Sequence, residues 1–248
     1  MFALAWLTAY PIAHRGLHDA SVGVIENTTS AFSAAIGGGY GIETDLQISA
    51  DGEAMVHHDD SLGRLTEGNR RLAEMNAAEI KAVRFKNSTD RILTLAELCD
   101  LVAGRATLLL ELKSRFDGDL RLSRRTVDVL SGYSGPVAVM SFDPGLIEAV
   151  RHWGPSLTRG ITAERSYSDA EWDGLPRPLK RSMAWLLHVP RSRPQFTAYY
   201  VKDLPAAPPL LMRNLFGLPL LTWTVRSEAD RRTAARWADQ IIFEGWRP

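Results

Sequence analysis

The chain has almost no cysteine: Cys99 is the only one among its 248 residues. A single thiol excludes an intramolecular disulfide and a thiolate zinc cluster. Cys99 lies in the apolar helical pattern formed by Leu95, Leu98 and Val102. We therefore expect a buried core thiol rather than a nucleophile.

The chain also lacks an excess of either charge, with 29 Lys and Arg against 29 Asp and Glu. This balance argues against a nucleic-acid partner, because such a partner is held mainly by counterion release. With 45% hydrophobic and 23% charged residues, the composition is that of a globular protein. It excludes disorder as the main state.

Long hydrophobic runs are missing as well. No run reaches the roughly 18 apolar residues needed to span a bilayer, so we expect no stable membrane insertion. Residues 1–13 are apolar but contain no basic residue, unlike the start of a secretory leader. These two absences predict a cytoplasmic protein.

What the sequence does contain is an alternation of short β-type runs with helical patterns, which is typical of parallel βα units. The eight predicted strands are 11–14, 41–48, 54–58, 107–113, 137–141, 158–161, 197–201 and 220–225. The predicted helices are 29–36, 95–102, 120–130, 144–152, 209–216 and 229–237. Eight strands in a length near the roughly 250 residues of a TIM (β/α)₈ barrel favour that α/β fold, as one domain over residues 1–248.

Two segments depart from the alternation. Residues 59–91 are polar, with one helical patch at 72–83, and form a predicted small insertion after the third strand. Residues 164–194 carry four prolines and an amphipathic core at 179–189. We interpret this second segment as a loop with a short packed helix, in preference to a lid or a membrane-surface element.

Two carboxylates interrupt the apolar pattern of the second predicted strand. Residues two apart on a strand share a face, so if Ile42 and Leu46 pack under the helices, Glu43 and Asp45 point into the barrel. Buried carboxylates that repel each other need a partner. A divalent cation and a neutralising Arg or Lys both meet this need, and the motif alone favours neither.

The strand predicted at 107–113 places Glu111 and Lys113 on one face. A third inward carboxylate favours a metal, and three carboxylates suit one hard divalent cation such as Mg²⁺ or Ca²⁺. Lys113 then contacts an anion bound to that metal, or forms a plain ion pair with Glu111.

Two histidines fall at predicted strand ends, His14 after the first strand and His58 after the third. The carboxyl ends of barrel strands form the active-site face. Because histidine titrates near neutral pH, this pair suits a general acid and a general base at a metal-bound phosphate. Arg15 adds a fork that fits phosphate oxygens. Alternation lets only one of two adjacent histidines face inward, so we expect His57 to be packed.

Seven motifs in order resemble those of the glycerophosphodiester phosphodiesterase family, bacterial cytosolic type. They are His14-Arg15-Gly16, Glu26-Asn27-Thr28, Glu43-x-Asp45, His58-Asp59 with Arg64 and Thr66, Glu111-x-Lys113, Ser141-Phe142 and Trp223-Thr224-Val225. The resemblance implies a TIM barrel of the phospholipase C-like phosphodiesterase type. It also implies metal-dependent hydrolysis of glycerophosphodiesters, a small-molecule substrate class of lipid metabolism, to sn-glycerol 3-phosphate and an alcohol.

The resemblance also implies roles for individual residues. It implies that the metal ligands are Glu43, Asp45 and Glu111, that the acid–base pair is His14 and His58, and that the phosphate contacts are Arg15 and Lys113. Glu26 and Asn27 would shape the site, and Trp223 would wall the glycerol pocket. The chain departs from the family pattern at Ile25, Arg226 and Phe243-Glu244, where Pro, Asn and Thr-Asp are usual.

Three other functions stay open. One is a lysophospholipase D-like activity on lysolipids, aided by residues 164–194. A second is a non-catalytic barrel that binds phosphorylated ligands, since fold does not determine function. The third is a glycosidase that uses Glu43 and Glu111, although it leaves the histidines and Arg15 without a role.

Overall fold

The computed structural model describes residues 4–248, so the first three residues of the apolar opening stretch and of the predicted domain lie outside the described part. The strands are β1 (Ile12–Ala13), β2 (Gly41–Ile48), β3 (Ala54–Val56), β4 (Leu108–Leu112), β5 (Val137–Ser141), β6 (Thr158–Ala163), β7 (Phe196–Tyr200), β8 (Leu220–Val225) and β9 (Gln240–Phe243). The α-helices are α1 (Thr29–Gly37), α2 (Ala77–Ala82), α3 (Leu95–Val102), α4 (Arg121–Leu130), α5 (Pro144–Trp153), α6 (Arg177–Ala184), α7 (Val189–Ser192), α8 (Ala207–Phe216) and α9 (Glu228–Trp237).

Eight parallel strands close into a barrel. Going round it, the order is β1, β9, β8, β7, β6, β5, β4 and β2, and β2 pairs with β1 to close the ring. Every pairing between these eight strands is parallel. The predicted TIM barrel is confirmed.

The third predicted strand, 54–58, was wrongly placed in the barrel wall. The strand that forms, β3, runs antiparallel to β2, with Leu46 opposite Val56 and Ile48 opposite Ala54. Only five residues, 49–53, join the two strands, and a parallel crossover needs a dozen or more. The eighth barrel strand is instead β9, which the periodicity did not predict.

Alternation along the strands separates two sets of apolar side chains. Ile42, Leu46, Leu108 and Leu110 pack in the cluster beneath the helices. A second cluster, which includes Leu109 of β4, fills the space enclosed by the ring with Ile12, Ala138, Met140, Phe196, Ala198, Leu221 and Ile242. Because residues two apart share a strand face, Glu43, Asp45 and Glu111 continue the inward faces of β2 and β4.

The two irregular segments each form short helices. The helical patch predicted at 72–83 forms as a 3₁₀ turn, Leu72–Glu74, and α2, and it covers Met55 on β3. In the later segment, the helix predicted at 179–189 divides into α6 and α7, separated by a turn at residues 185–188. Among residues 4–248, no helix is long and apolar enough to cross a membrane.

Candidate active site

The site begins with a tight turn after β1. His14 follows the strand, Arg15 has φ 56° and Gly16 has φ 78°, both in the left-handed region. A Cβ on Gly16 would lie 2.9 Å from Ala31 of α1, so this position requires glycine. The turn lets the backbone N–H of Arg15 donate to Glu43 Oε2 at 3.0 Å.

Three buried carboxylates meet at the carboxyl ends of β2 and β4. In register, Asp45 lies opposite Glu111, and Glu43 precedes Asp45 on the same face. One oxygen from each of the three lies within 4.8 Å of one from each of the others. The side chains of Glu43 and Asp45 are each 1% exposed, so their charges are shielded from bulk water.

Lys113 follows β4 and bridges two of these carboxylates. Its Nζ lies 2.8 Å from Asp45 Oδ1 and 2.6 Å from Glu111 Oε1. Burial alone would lower the pKa of Lys113, but the two carboxylates outweigh it and raise that pKa. Burial would likewise raise the pKa of Asp45, but Lys113, His58 and Arg15 hold it well below its usual value.

The pKa of the Glu43 carboxyl group shifts in the opposite direction to that of Asp45. Burial, together with the negative charges of Asp45 and Glu111, raises its pKa well above the usual value for glutamic acid, despite Arg15 and Lys113 nearby. Two cationic side chains therefore do not compensate three carboxylates. A divalent cation among these oxygens would keep all three ionised, and carboxylate oxygens are the ligands that Mg²⁺ and Ca²⁺ take. The residues present fit such an ion.

Glu26 and Asn27 sit in the loop that leads into α1. Arg15 Nη1 donates to Glu26 Oε1 at 2.8 Å, and Asn27 Nδ2 donates to Asp45 Oδ2 at 2.9 Å. Thr44 Oγ1 in turn donates to Asn27 Oδ1 at 2.6 Å. Asn27, at φ 57°, thereby fixes the orientation of Asp45 from outside the strand.

His14 stands between two carboxylates. Its Nδ1 lies 2.5 Å from Glu244 Oε2, and its Nε2 lies 3.9 Å from Glu43 Oε2. Burial lowers the pKa of His14 and outweighs the hydrogen bond to Glu244, which raises it. Because Nδ1 faces Glu244, the Nε2 edge of the ring faces the acidic cluster.

His58 reaches the same site by the return of β3. The backbone N–H of His57 donates to the Asp45 carbonyl at 3.0 Å, so His58 comes level with the acidic residues of β2. His58 therefore follows an antiparallel strand and not, as predicted, a parallel barrel strand, but it lies at the mouth of the barrel. His58 Nδ1 lies 2.7 Å from Asp59 Oδ1. His57 is 4% exposed, as expected for a packed histidine.

A cavity of about 480 Å³ opens beside this cluster. His58, Glu111 and Lys113 line it, together with Phe116, Phe142 and Trp172. Trp223, on β8, has its ring centroid 5.5 Å from that of Phe142 and packs against the cluster inside the ring.

Two residues at the site, Arg64 and Glu244, were not assigned a role from the sequence. Arg64, noted only as part of a motif, donates from Nε to Asp59 Oδ2 at 2.7 Å and from Nη2 to Glu26 Oε1 at 2.7 Å. Glu244, noted only as a departure from a pattern, contacts His14. Recognition of β9 would have placed Glu244 at a strand end, and that was the missing signal.

Two solved structures share this barrel almost from end to end. A phosphodiesterase of Oleispira antarctica, solved in complex with the product sn-glycerol-3-phosphate, superposes with a TM-score of 0.77 at 21% identity, over 96% of this chain and 94% of that one. A glycerophosphodiester phosphodiesterase of Thermotoga maritima superposes with a TM-score of 0.69 at 22% identity, over 94% of each chain. These likenesses establish the fold.

Sequence comparison shows which family of enzymes this chain belongs to. A glycerophosphodiester phosphodiesterase of Caldanaerobacter subterraneus subsp. tengcongensis is 28% identical over 244 residues, which cover 94% of this chain and 93% of that protein. The comparisons show that the chain is a phosphoric diester hydrolase. The model of the glycerophosphoryl diester phosphodiesterase family matches residues 14–244, and the chain belongs to that family.

Proposed function

We propose that this chain hydrolyses glycerophosphodiesters to sn-glycerol 3-phosphate and an alcohol, in glycerophospholipid metabolism. The observation that carries the proposal is the meeting of three buried carboxylates within 4.8 Å, flanked by His14 and His58. Family membership supports it, as does the product held by the Oleispira antarctica phosphodiesterase. Barrel strands from Ile12 to Phe243 support action as one domain. The cytoplasmic location stays a prediction.

In this proposal Glu43, Asp45 and Glu111 hold one divalent cation, Mg²⁺ or Ca²⁺. When bound, the ion would stabilise negative charge on the non-bridging phosphate oxygens and acidify the attacking hydroxyl. Arg15 Nε is buried and has no hydrogen-bond partner among the described residues. Although it lies 3.4 Å from Asp45 Oδ2, that N–H makes no hydrogen bond there and can donate to a phosphate oxygen. The ammonium of Lys113 has a third N–H beyond the two that face Asp45 and Glu111. The indole N–H of Trp223 is buried and unpaired in the same sense, and suits a glycerol hydroxyl.

The two histidines would move the protons in two steps. One takes the proton of the glycerol 2-hydroxyl as its oxygen bonds to phosphorus, and the other gives a proton to the departing alcohol oxygen. Water then attacks the cyclic phosphate and gives its proton to the second histidine. The first histidine returns its proton to the 2-oxygen, so both are restored.

A coupled assay for glycerol 3-phosphate release tests this function, with several glycerophosphodiesters and one lysophospholipid as substrates, each with and without EDTA. We expect release that EDTA abolishes. His14→Ala and His58→Ala should each lose roughly 10²- to 10⁴-fold in kcat, while His152→Ala, at an exposed histidine of α5, retains full activity. Near-normal turnover in either site variant would refute the role given to that histidine. Turnover of the lysophospholipid alone would favour the lysolipid activity.

A further inference from the structure

One row of ionisable side chains crosses the ends of three neighbouring strands. β9 lies between β8 and β1 in the barrel, and Ala13 is in register with Phe243. The residues that follow these strands are Arg226 after β8, Glu244 after β9 and His14 after β1. Parallel register therefore places Glu244 between the other two, and its backbone N–H donates to the Val225 carbonyl at 3.2 Å.

Each oxygen of the Glu244 carboxylate has a defined donor. Arg226 donates two hydrogen bonds to this carboxylate, from Nε to Oε1 at 3.0 Å and from Nη2 to Oε2 at 2.9 Å. Oε2 also lies 2.5 Å from His14 Nδ1. Burial alone would raise the pKa of Glu244, but the hydrogen bonds from His14 and Arg226 outweigh it and lower that pKa. The group facing Nδ1 is therefore an ionised acceptor.

We propose that Glu244 is a positioning residue for His14, and that Arg226 fixes Glu244 in the conformation that does this. The inference rests on the proposed function of His14. A carboxylate can only accept a hydrogen bond, so Nδ1 carries the proton. Nε2, the nitrogen nearer Glu43, is then left as the one that exchanges a proton with substrate.

The arrangement differs from an ordinary surface ion pair. An exposed Arg–Glu pair contributes little by itself, and the Arg226 side chain is 53% exposed. The His14 side chain is only 12% exposed, however, and Glu244 orients its ring across the β9–β1 junction. Glutamate has one more side-chain torsion than aspartate, and the two-point contact from Arg226 restricts that freedom.

The kinetic test compares Glu244→Gln with Glu148→Gln. Gln keeps the shape of residue 244 but removes its charge, and its amide can present a donor to Nδ1. Glu148 is the control, because it also pairs with an arginine, Arg191, through one contact of 2.8 Å, and it lies away from the site. We expect Glu244→Gln to lower kcat about 100-fold with KM within twofold, and Arg226→Met to lower kcat about two- to fivefold. Glu148→Gln should leave kcat unchanged.

The effects of the two site substitutions should not be independent. Once Glu244 is neutral, loss of Arg226 should add less than a twofold change, because Arg226 acts through Glu244. Glu244→Asp keeps the charge, so its kcat should be at least tenfold higher than that of Glu244→Gln. A kcat for Glu244→Gln within twofold of the unsubstituted chain would overturn the inference, and so would a loss confined to KM.

A second measurement needs no turnover. The ring-nitrogen NMR shifts of His14, assigned by their disappearance in His14→Gln, report which nitrogen carries the proton. We expect protonated Nδ1 in the unsubstituted chain at neutral pH and a mixture of tautomers in Glu244→Gln. An unchanged tautomer would overturn the inference. If the chain releases no glycerol 3-phosphate, the proposed function fails, whereas normal turnover in Glu244→Gln beside an inactive His14→Ala sinks only the positioning role.

Discussion

His188 lies in the turn between α6 and α7, 8% exposed, with Nδ1 3.0 Å from Ser192 Oγ. Burial lowers its pKa to about 4, and the positive charge of Arg191 adds to the effect. The folded protein therefore holds this imidazole neutral at pH values where an unfolded chain would protonate it. As the pH falls from about 6.5 to about 4, the unfolded state takes up the proton first, and the free energy of unfolding decreases.

We predict that His188→Gln weakens this pH dependence. The decrease in unfolding free energy between pH 7 and pH 4 should be smaller than in the unsubstituted chain by up to about 3 kcal/mol. Urea unfolding at a series of pH values measures the difference. His152→Gln, at the exposed histidine of α5, is the control and should not change the slope. An identical slope in His188→Gln would show that the pKa of this histidine does not differ between the folded and unfolded states.

At the same scale, the sequence predicted the direction of side chains well where a strand alternates strictly. Ile42 and Leu46 pack under the helices as expected, and Glu43, Asp45 and Glu111 come together on the opposite face. The sequence did not predict that Lys113 contacts Asp45 as well as Glu111. The bridge of Lys113 between Asp45 and Glu111 depends on the register of β2 with β4, which no local pattern contains.

At the scale of elements, periodicity predicted where strands form but not their direction. β3 was expected to run parallel to β2, yet the five-residue connection at 49–53 was itself a sign of an antiparallel pair. β9, Gln240–Phe243, is as long as the strands predicted at 11–14 and 158–161, and it was missed because 54–58 had been taken as a barrel strand, which completed a set of eight without it. Glu244 was therefore not recognised as a residue at the end of a barrel strand.

The packing of β6 against β7 gives an element-scale prediction. A Cβ on Gly160 would lie 2.3 Å from the Phe196 ring on the next strand. Gly160→Ala should therefore lower the free energy of unfolding by about 1–3 kcal/mol, since the core has no room to relax. Urea denaturation measures the change.

Gly37→Ala is the matched control. Gly37 ends α1, and a Cβ there would meet nothing within 4 Å. Because alanine is the better helix former, this variant should gain up to about 1 kcal/mol. Equal stability changes in both variants would contradict the account of the β6–β7 contact.

At the scale of the whole molecule, a chain with no net charge concentrates three carboxylates at one end of its barrel. The sequence predicted that arrangement because the barrel brings the inward faces of β2 and β4 to the same mouth. From Glu43 and Asp45 alone the sequence did not decide between a cation and neutralising side chains, and the structure shows that Lys113 and Arg15 contact the acids. The raised pKa of Glu43 indicates that these two side chains alone do not balance the site.

The most direct test of the central claim is the number of divalent ions that each chain binds, measured by equilibrium dialysis and elemental analysis after removal of metal with EDTA. We predict one Mg²⁺ or Ca²⁺ ion per chain, with at least a tenfold loss of affinity in Asp45→Asn and none in Glu148→Gln. When the ion is added back, the rate of glycerol 3-phosphate release should rise in proportion to the fraction of chains that hold an ion. Undiminished binding in Asp45→Asn, or full activity in the metal-free protein, would contradict the account.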